Sequence, residues 1–100
     1  MIEAAETACR FVLGRTQGDL DADEMLALAV VRAIEIVGEA ASKVSVATRR
    51  SSPEVPWQLI VSMRNRVVHA YFDINHETVW KTATEELPQL LPALRALAGK

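Results

Sequence analysis

A single cysteine, Cys9, rules out an internal disulfide and any cysteine-based zinc cluster. Its neighbours follow an apolar helical pattern, so a buried structural thiol is expected. Aromatic residues are scarce, at 5 % of the chain. The apolar half of the composition is carried by Ala, Leu, Val and Ile, which favours packed helices over a sheet sandwich. Neither an Asn-Gly nor an Asp-Gly pair occurs and no run alternates strictly, so the usual hairpin signals are absent. No apolar stretch approaches the length of a membrane span. The opening Met1-Ile2-Glu3-Ala4-Ala5-Glu6 is acidic, unlike a signal peptide. A cytoplasmic protein with no membrane contact is therefore expected. A net charge of −2 excludes a broad cationic coat for duplex nucleic acid but leaves room for a local basic patch. At 100 residues the chain is expected to be one domain, 1–100, with a modest core that dimerisation would extend.

What is present is helical periodicity. Ile2, Ala5, Cys9, Val12 and Leu13 predict a first amphipathic helix over 2–13. Gly14 and Gly18 bracket a loop reaching Asp19. A long second helix is predicted from about Ala22 to about Ala47, with Asp21 or Asp23 as its N-cap. Leu26, Ala29, Val30, Ala33, Val37, Ala40 and Val44 form its stripe, widened by Met25, Leu28, Val31, Ile34 and Ile36. So wide a stripe implies burial on more than one side, with room for a second chain. Glu35 and Glu39, four apart, either meet a basic group or form a solvated acidic edge. The stretch Arg49-Arg50-Ser51-Ser52-Pro53-Glu54-Val55-Pro56 is the main break, and Pro56 suits the start of a third helix. That helix carries Trp57, Ile60, Val61, Arg64, Val67 and Val68 and should end near His69 or Tyr71. Asn75 can cap a fourth helix through Val79, Trp80, Ala83, Leu87, Leu90, Leu91, Leu94 and Leu97, with a kink or break near Pro88. The class is all-α, a small bundle of four to five helices with long central members.

The densest chemistry lies in Met63-Arg64-Asn65-Arg66-Val67-Val68-His69-Ala70-Tyr71-Phe72-Asp73. On a continuous helix Arg64 and His69 stand about 140° out of phase. They converge only if the helix ends or distorts near His69, or if two copies meet across an axis. Arg64 is able to hold a phosphate and stabilise charge on pentacoordinate phosphorus. His69 is able to move a proton to or from a ribose or leaving oxygen. Asn65 would orient either group. Such chemistry needs no metal, and His76 has no HExxH-type partner for a zinc site. Plainer roles fit the same residues: a solvated arginine, a histidine capping helix carbonyls, and core or interface aromatics at Tyr71 and Phe72.

Arg64-Asn65-Arg66-Val67-Val68-His69-Ala70-Tyr71 resembles the R-x4-H-x-Y signature of HEPN-domain toxins of the HepT type. Arg32–Ala41, the approach Pro53-Glu54-Val55-Pro56-Trp57, and the following Tyr71–Asn75, Val79-Trp80 and Leu87-Pro88 resemble the same family. The likeness spans about residues 25 to 95. It implies a HEPN fold, a homodimer with a composite cleft, and a metal-independent RNase toxin of a type VII-like toxin–antitoxin pair, with no cofactor. It also implies a cognate antitoxin resembling a minimal nucleotidyltransferase (MntA-like), which silences the toxin by transferring AMP to the motif tyrosine. By position, Arg64 and His69 would be catalytic, Asn65 supporting and Tyr71 the AMP acceptor. Arg66, Arg49, Arg50 and Lys43 are the candidates for RNA contact. The alternative is a non-catalytic helical adaptor or nucleotide-binding partner of a nucleotidyltransferase.

Overall fold

A computed structural model describes the backbone of residues 1–70 and 73–99, with side chains except at positions 64, 67–70, 73 and 74. Helix α1, Ile2–Val12, buries Ala4, Ala5, Ala8 and Val12 on one face. It ends at Val12, and the chain turns away at Gly14, whose φ of 75° is the left-handed conformation that glycine adopts without a Cβ clash. A short helix, α2 (Gln17–Ala22), then begins inside the stretch expected to be loop. Its start is a reciprocal cap, in which the Asp19 carboxylate accepts from the Thr16 backbone N–H at 2.8 Å. Asp23 caps the next helix, α3 (Glu24–Ser42), by accepting from the Leu26 N–H at 3.1 Å.

Helix α3 is the centre of the bundle and packs against both α1 and α5. Its buried residues are Ala27, Val30, Val31, Ala33, Ile34, Val37, Gly38 and Ala41. The burial is narrower than the periodicity suggested, because Met25, Leu28 and Ile36 are exposed. The helix also stops earlier than Ala47. Lys43 ends it, and Ser45 starts a separate helix, α4 (Val46–Ser51), by accepting from the Thr48 N–H at 3.1 Å. Arg49 and Arg50, expected in a break, therefore lie in the last turn of a short helix.

Helix α5, Trp57–Val67, follows Pro56 as expected. Trp57 is buried, and its indole N–H donates to the carbonyl of the fully buried Ser52 at 3.1 Å, which ties the loop to the helix start. Ile60 and Met63 are fully buried. Burial of each such side chain contributes about 1.5–3 kcal/mol and fixes α5 on α3. The helix ends at Val67, two residues short of His69, where Val68–Ala70 (β1) and Asp73–Ile74 (β2) form a small antiparallel ladder. Apart from this ladder the described fold is all-α, as expected.

Asn75 caps α6 (His76–Lys81), accepting from the Thr78 N–H at 3.0 Å. The helix then passes through a π-helical turn, Thr82–Glu86, into α7 (Leu87–Ala98). This turn replaces the kink or break expected near Pro88. Pro88 has no N–H for the carbonyl of Thr84, and its ring crowds that carbonyl. The wider turn, in which the Leu87 N–H reaches the Thr82 carbonyl, carries the helix past the proline unbroken.

Candidate functional site

The motif segment begins in the last turns of α5 and leaves the helix where it ends, at Val67. Arg64 and Asn65 lie in the last helical turns, with Asn65 exposed. His69 has its backbone in β1, between the paired positions Val68↔Ile74 and Ala70↔Asp73, where the register shifts. Irregular ladder positions of this kind re-aim side chains and are common beside active sites. The side chains of Arg64 and His69, and Tyr71 altogether, lie outside the described residues.

Arg66 is a motif residue with several partners among the described residues. Its Nη1 donates to both carboxylate oxygens of Glu86, at 3.0 and 3.2 Å, and its Nη2 to the Leu59 carbonyl at 3.4 Å. Its Nε is buried and without a hydrogen-bond partner among the described residues. The pair joins α5 to the π turn across 20 positions of sequence. Beside it runs an open groove of about 380 Å³, lined by Arg66, Asn75, Thr78, Lys81, Thr82 and Glu86. Arg66 lies shortly before the motif histidine and Asn75 shortly after the ladder, so the groove borders both arms of the motif segment.

The other basic candidates are not gathered with Arg66 in this groove. Arg49 donates from Nη2 to the Ala41 carbonyl at 2.8 Å, which caps the C-terminal turn of α3. Arg50 and Lys43 are exposed. Glu35 and Glu39 find their basic partner on their own helix: Arg32 Nη1 lies 3.4 Å from one and 3.9 Å from the other. His76 Nδ1 meets Asp21 Oδ1 at 2.6 Å, linking α6 to α2. Asp21 is thus a tertiary partner and Asp23 the cap. Cys9 is only half-buried; burial pushes its thiol up, with nearby Arg95 pulling the other way. Sequence reasoning missed Glu86, Thr78 and Lys81. Glu86 has no local signal, since its partner is remote, although its place two residues before Pro88 marks a helix under constraint.

Among the described residues no helix is long and apolar enough to cross a membrane, and no three His, Cys, Asp or Glu side chains gather as a metal site. No solved structure matches the chain. Several curated proteins do. A protein of Caldanaerobacter subterraneus subsp. tengcongensis named "Putative RNase" is 33% identical over 96 residues, covering 92% of this chain and 86% of its own. The "Probable ribonuclease HepT" of Thermococcus cleftensis is 39% identical over 72 residues, 72% of this chain and 66% of its own. A Methanocaldococcus jannaschii protein, also named "Putative RNase", is 32% identical over 90 residues, 90% of this chain and 83% of its own. The family model described as "Ribonuclease HepT-like" matches residues 1–97, a span that takes in α1 and α2 as well as the motif. The R-x4-H-x-Y segment at the end of α5 is therefore carried by a chain that belongs to the HepT-like ribonuclease family.

Proposed function

We propose that the chain is an endoribonuclease toxin, acting without a metal ion in a composite cleft between two copies and neutralised by an antitoxin. The observation that carries this reading is the end of α5 at Val67, between Arg64 and His69, in a member of a ribonuclease family. A helix that stops there releases the two residues from the phase of about 140° that a continuous helix imposes.

In the proposed reaction His69 takes the proton of a ribose 2′-hydroxyl, and the freed oxygen attacks the adjacent phosphorus. The bond to the 5′-oxygen breaks, leaving a 2′,3′-cyclic phosphate. The departing oxygen receives a proton from the second copy's histidine. Arg64 stabilises the extra negative charge on the pentacoordinate phosphorus, and Asn65 orients the phosphate. Arg66, Arg50 and Lys43 are proposed as separate RNA contacts; Arg49 is committed to the α3 carbonyl. The outward face of α3, with Met25, Leu28 and Ile36 exposed, supports a dimer contact. Silencing is proposed to occur by transfer of AMP from ATP to the Tyr71 phenol, with pyrophosphate leaving, catalysed by a minimal nucleotidyltransferase. A negative phosphodiester two residues from His69 blocks RNA by charge and by bulk.

The test is cleavage of cellular RNA by the purified chain in excess EDTA, wild type beside His69→Ala, with intact mass recorded for both. Activity that persists in EDTA and disappears in the variant supports the reading. A folded, unmodified protein that cuts no RNA overturns it in favour of a non-catalytic adaptor.

A further inference from the structure

The groove between Arg66 and α6 is polar, open and placed against the motif segment, yet none of its residues beyond Arg66 belongs to the R-x4-H-x-Y signature. Lys81 is exposed and has no ion-pair partner among the described residues. Thr78 lies one helical turn before it on the same side of α6, half-buried. Its backbone N–H is taken by the Asn75 cap, while its hydroxyl has no hydrogen bond among the described residues. Thr82 is turned inward, its hydroxyl donating to the Thr78 carbonyl at 2.8 Å. Glu86 is the one carboxylate among the described lining residues, and it faces Arg66. Among the described lining residues, two cations stand against one anion, a formal charge of +1.

We infer that this groove is a phosphate subsite for the RNA strand next to the cleavage position, with Lys81 and the Thr78 hydroxyl as ligands and Arg66 held beside them by Glu86. The inference rests on the ribonuclease reading, and it adds Lys81 and Thr78 as specificity-free backbone contacts outside the reacting centre. The geometry also gives Glu86 a definite sign. It positions Arg66 but repels a phosphate, so the groove holds its cation in check until a strand arrives. A purely structural role for the Arg66–Glu86 pair gives Lys81 and Thr78 nothing to do.

The test uses binding rather than cleavage, so that failure of the subsite and failure of the enzyme reading remain separate. A fluorescent 2′-O-methyl oligoribonucleotide, which lacks the attacking hydroxyl, is titrated with the full chain at several salt concentrations. Lys81→Ala is expected to weaken binding about fivefold at low salt and to flatten the log–log salt dependence by about 0.7, the release of one counterion from a single strand. Glu86→Gln is expected to tighten binding, and Lys81→Glu, with an unchanged far-ultraviolet spectrum as the check on folding, to weaken it more than Lys81→Ala. Arg10→Ala on α1 is the control, removing one exposed charge that does not line the groove. Equal affinity of Lys81→Ala and wild type, or an equal loss in Arg10→Ala, overturns the subsite. A chain that cuts no RNA but shows the Lys81 effect keeps the subsite and loses the enzyme reading.

Discussion

Arg66 and Glu86 form a two-oxygen contact, 3.0 and 3.2 Å from one guanidinium nitrogen, between the helix that delivers the motif and the π turn that precedes Pro88. The two side chains are 32 % and 29 % exposed, so water screens the pair only in part. Glu86→Ala should cost about 1–2 kcal/mol, because it strands a half-buried guanidinium whose Nε already lacks a partner. Glu86→Gln keeps an acceptor and should cost less. The midpoint of urea unfolding for both variants checks this ordering.

Asn75 closes the motif segment as the cap of α6. Asn75→Ala should destabilise the chain by about 1 kcal/mol, whereas Asn75→Asp, which keeps an accepting oxygen for the Thr78 N–H, should stay within a few tenths of wild type. A thermal melt followed by circular dichroism distinguishes the two.

Ile34 and Ile36 stand two residues apart on α3, the first fully buried and the second 39 % exposed. Ile34→Ala should cost about 2–5 kcal/mol by opening a cavity at the bundle centre. Ile36→Ala should change the unfolding of a single chain by less than about 0.5 kcal/mol. If two copies meet on this face, Ile36→Asp shifts the mass seen in light scattering from two chains toward one while the far-ultraviolet spectrum is unchanged.

Cys9 should react slowly. Because burial favours its neutral thiol, the thiolate fraction in the folded chain is depressed, and alkylation by iodoacetamide at pH 8.5 should be slower than in the urea-unfolded chain. The sign for stability follows: a thiol held up in the folded state contributes stability while it is protonated in both states. That contribution is lost as the pH rises past the unfolded thiol and through the folded one. Cys9→Ala should flatten the fall in unfolding free energy above about pH 9.

Features that depend on neighbours in sequence were legible. Asn75 as a cap, Asp23 as one of two cap candidates, the start of α5 after Pro56, and the buried spacing of Trp57 and Ile60 all follow from local rules, whereas Met63 lay outside the expected stripe. Boundaries failed where two local signals competed. Val44 continued the apolar stripe of α3, but Ser45 offered a new cap three residues before Thr48, and the cap decided the end of the helix. Gly14 and Gly18 read as a loop, yet Thr16 and Asp19 between and beside them form a reciprocal cap that starts α2. The partners of Arg66, Asp21 and Arg49 were not legible, because each is chosen by tertiary packing between separate helices. In the site itself, the sequence points to the motif but contains no local sign of the groove that borders it.

The π turn has a consequence for how this chain tolerates changes of length. Before it, α6 rests on α2, α3 and α5; after it, α7 rests on α1. A π turn holds one residue more than an α turn over the same hydrogen-bonded arc, so the two halves of this rod are rotated by about 100° from uniform helical phase. Losing one residue between Thr82 and Glu86 would straighten the helix into ordinary register. It would then present the correct face either to α1 or to the motif-bearing half of the bundle, but not to both. The rod is therefore a phase adapter, and homologous chains that match this one in their α1 and α5 surfaces must conserve its residue count as strictly as its chemistry.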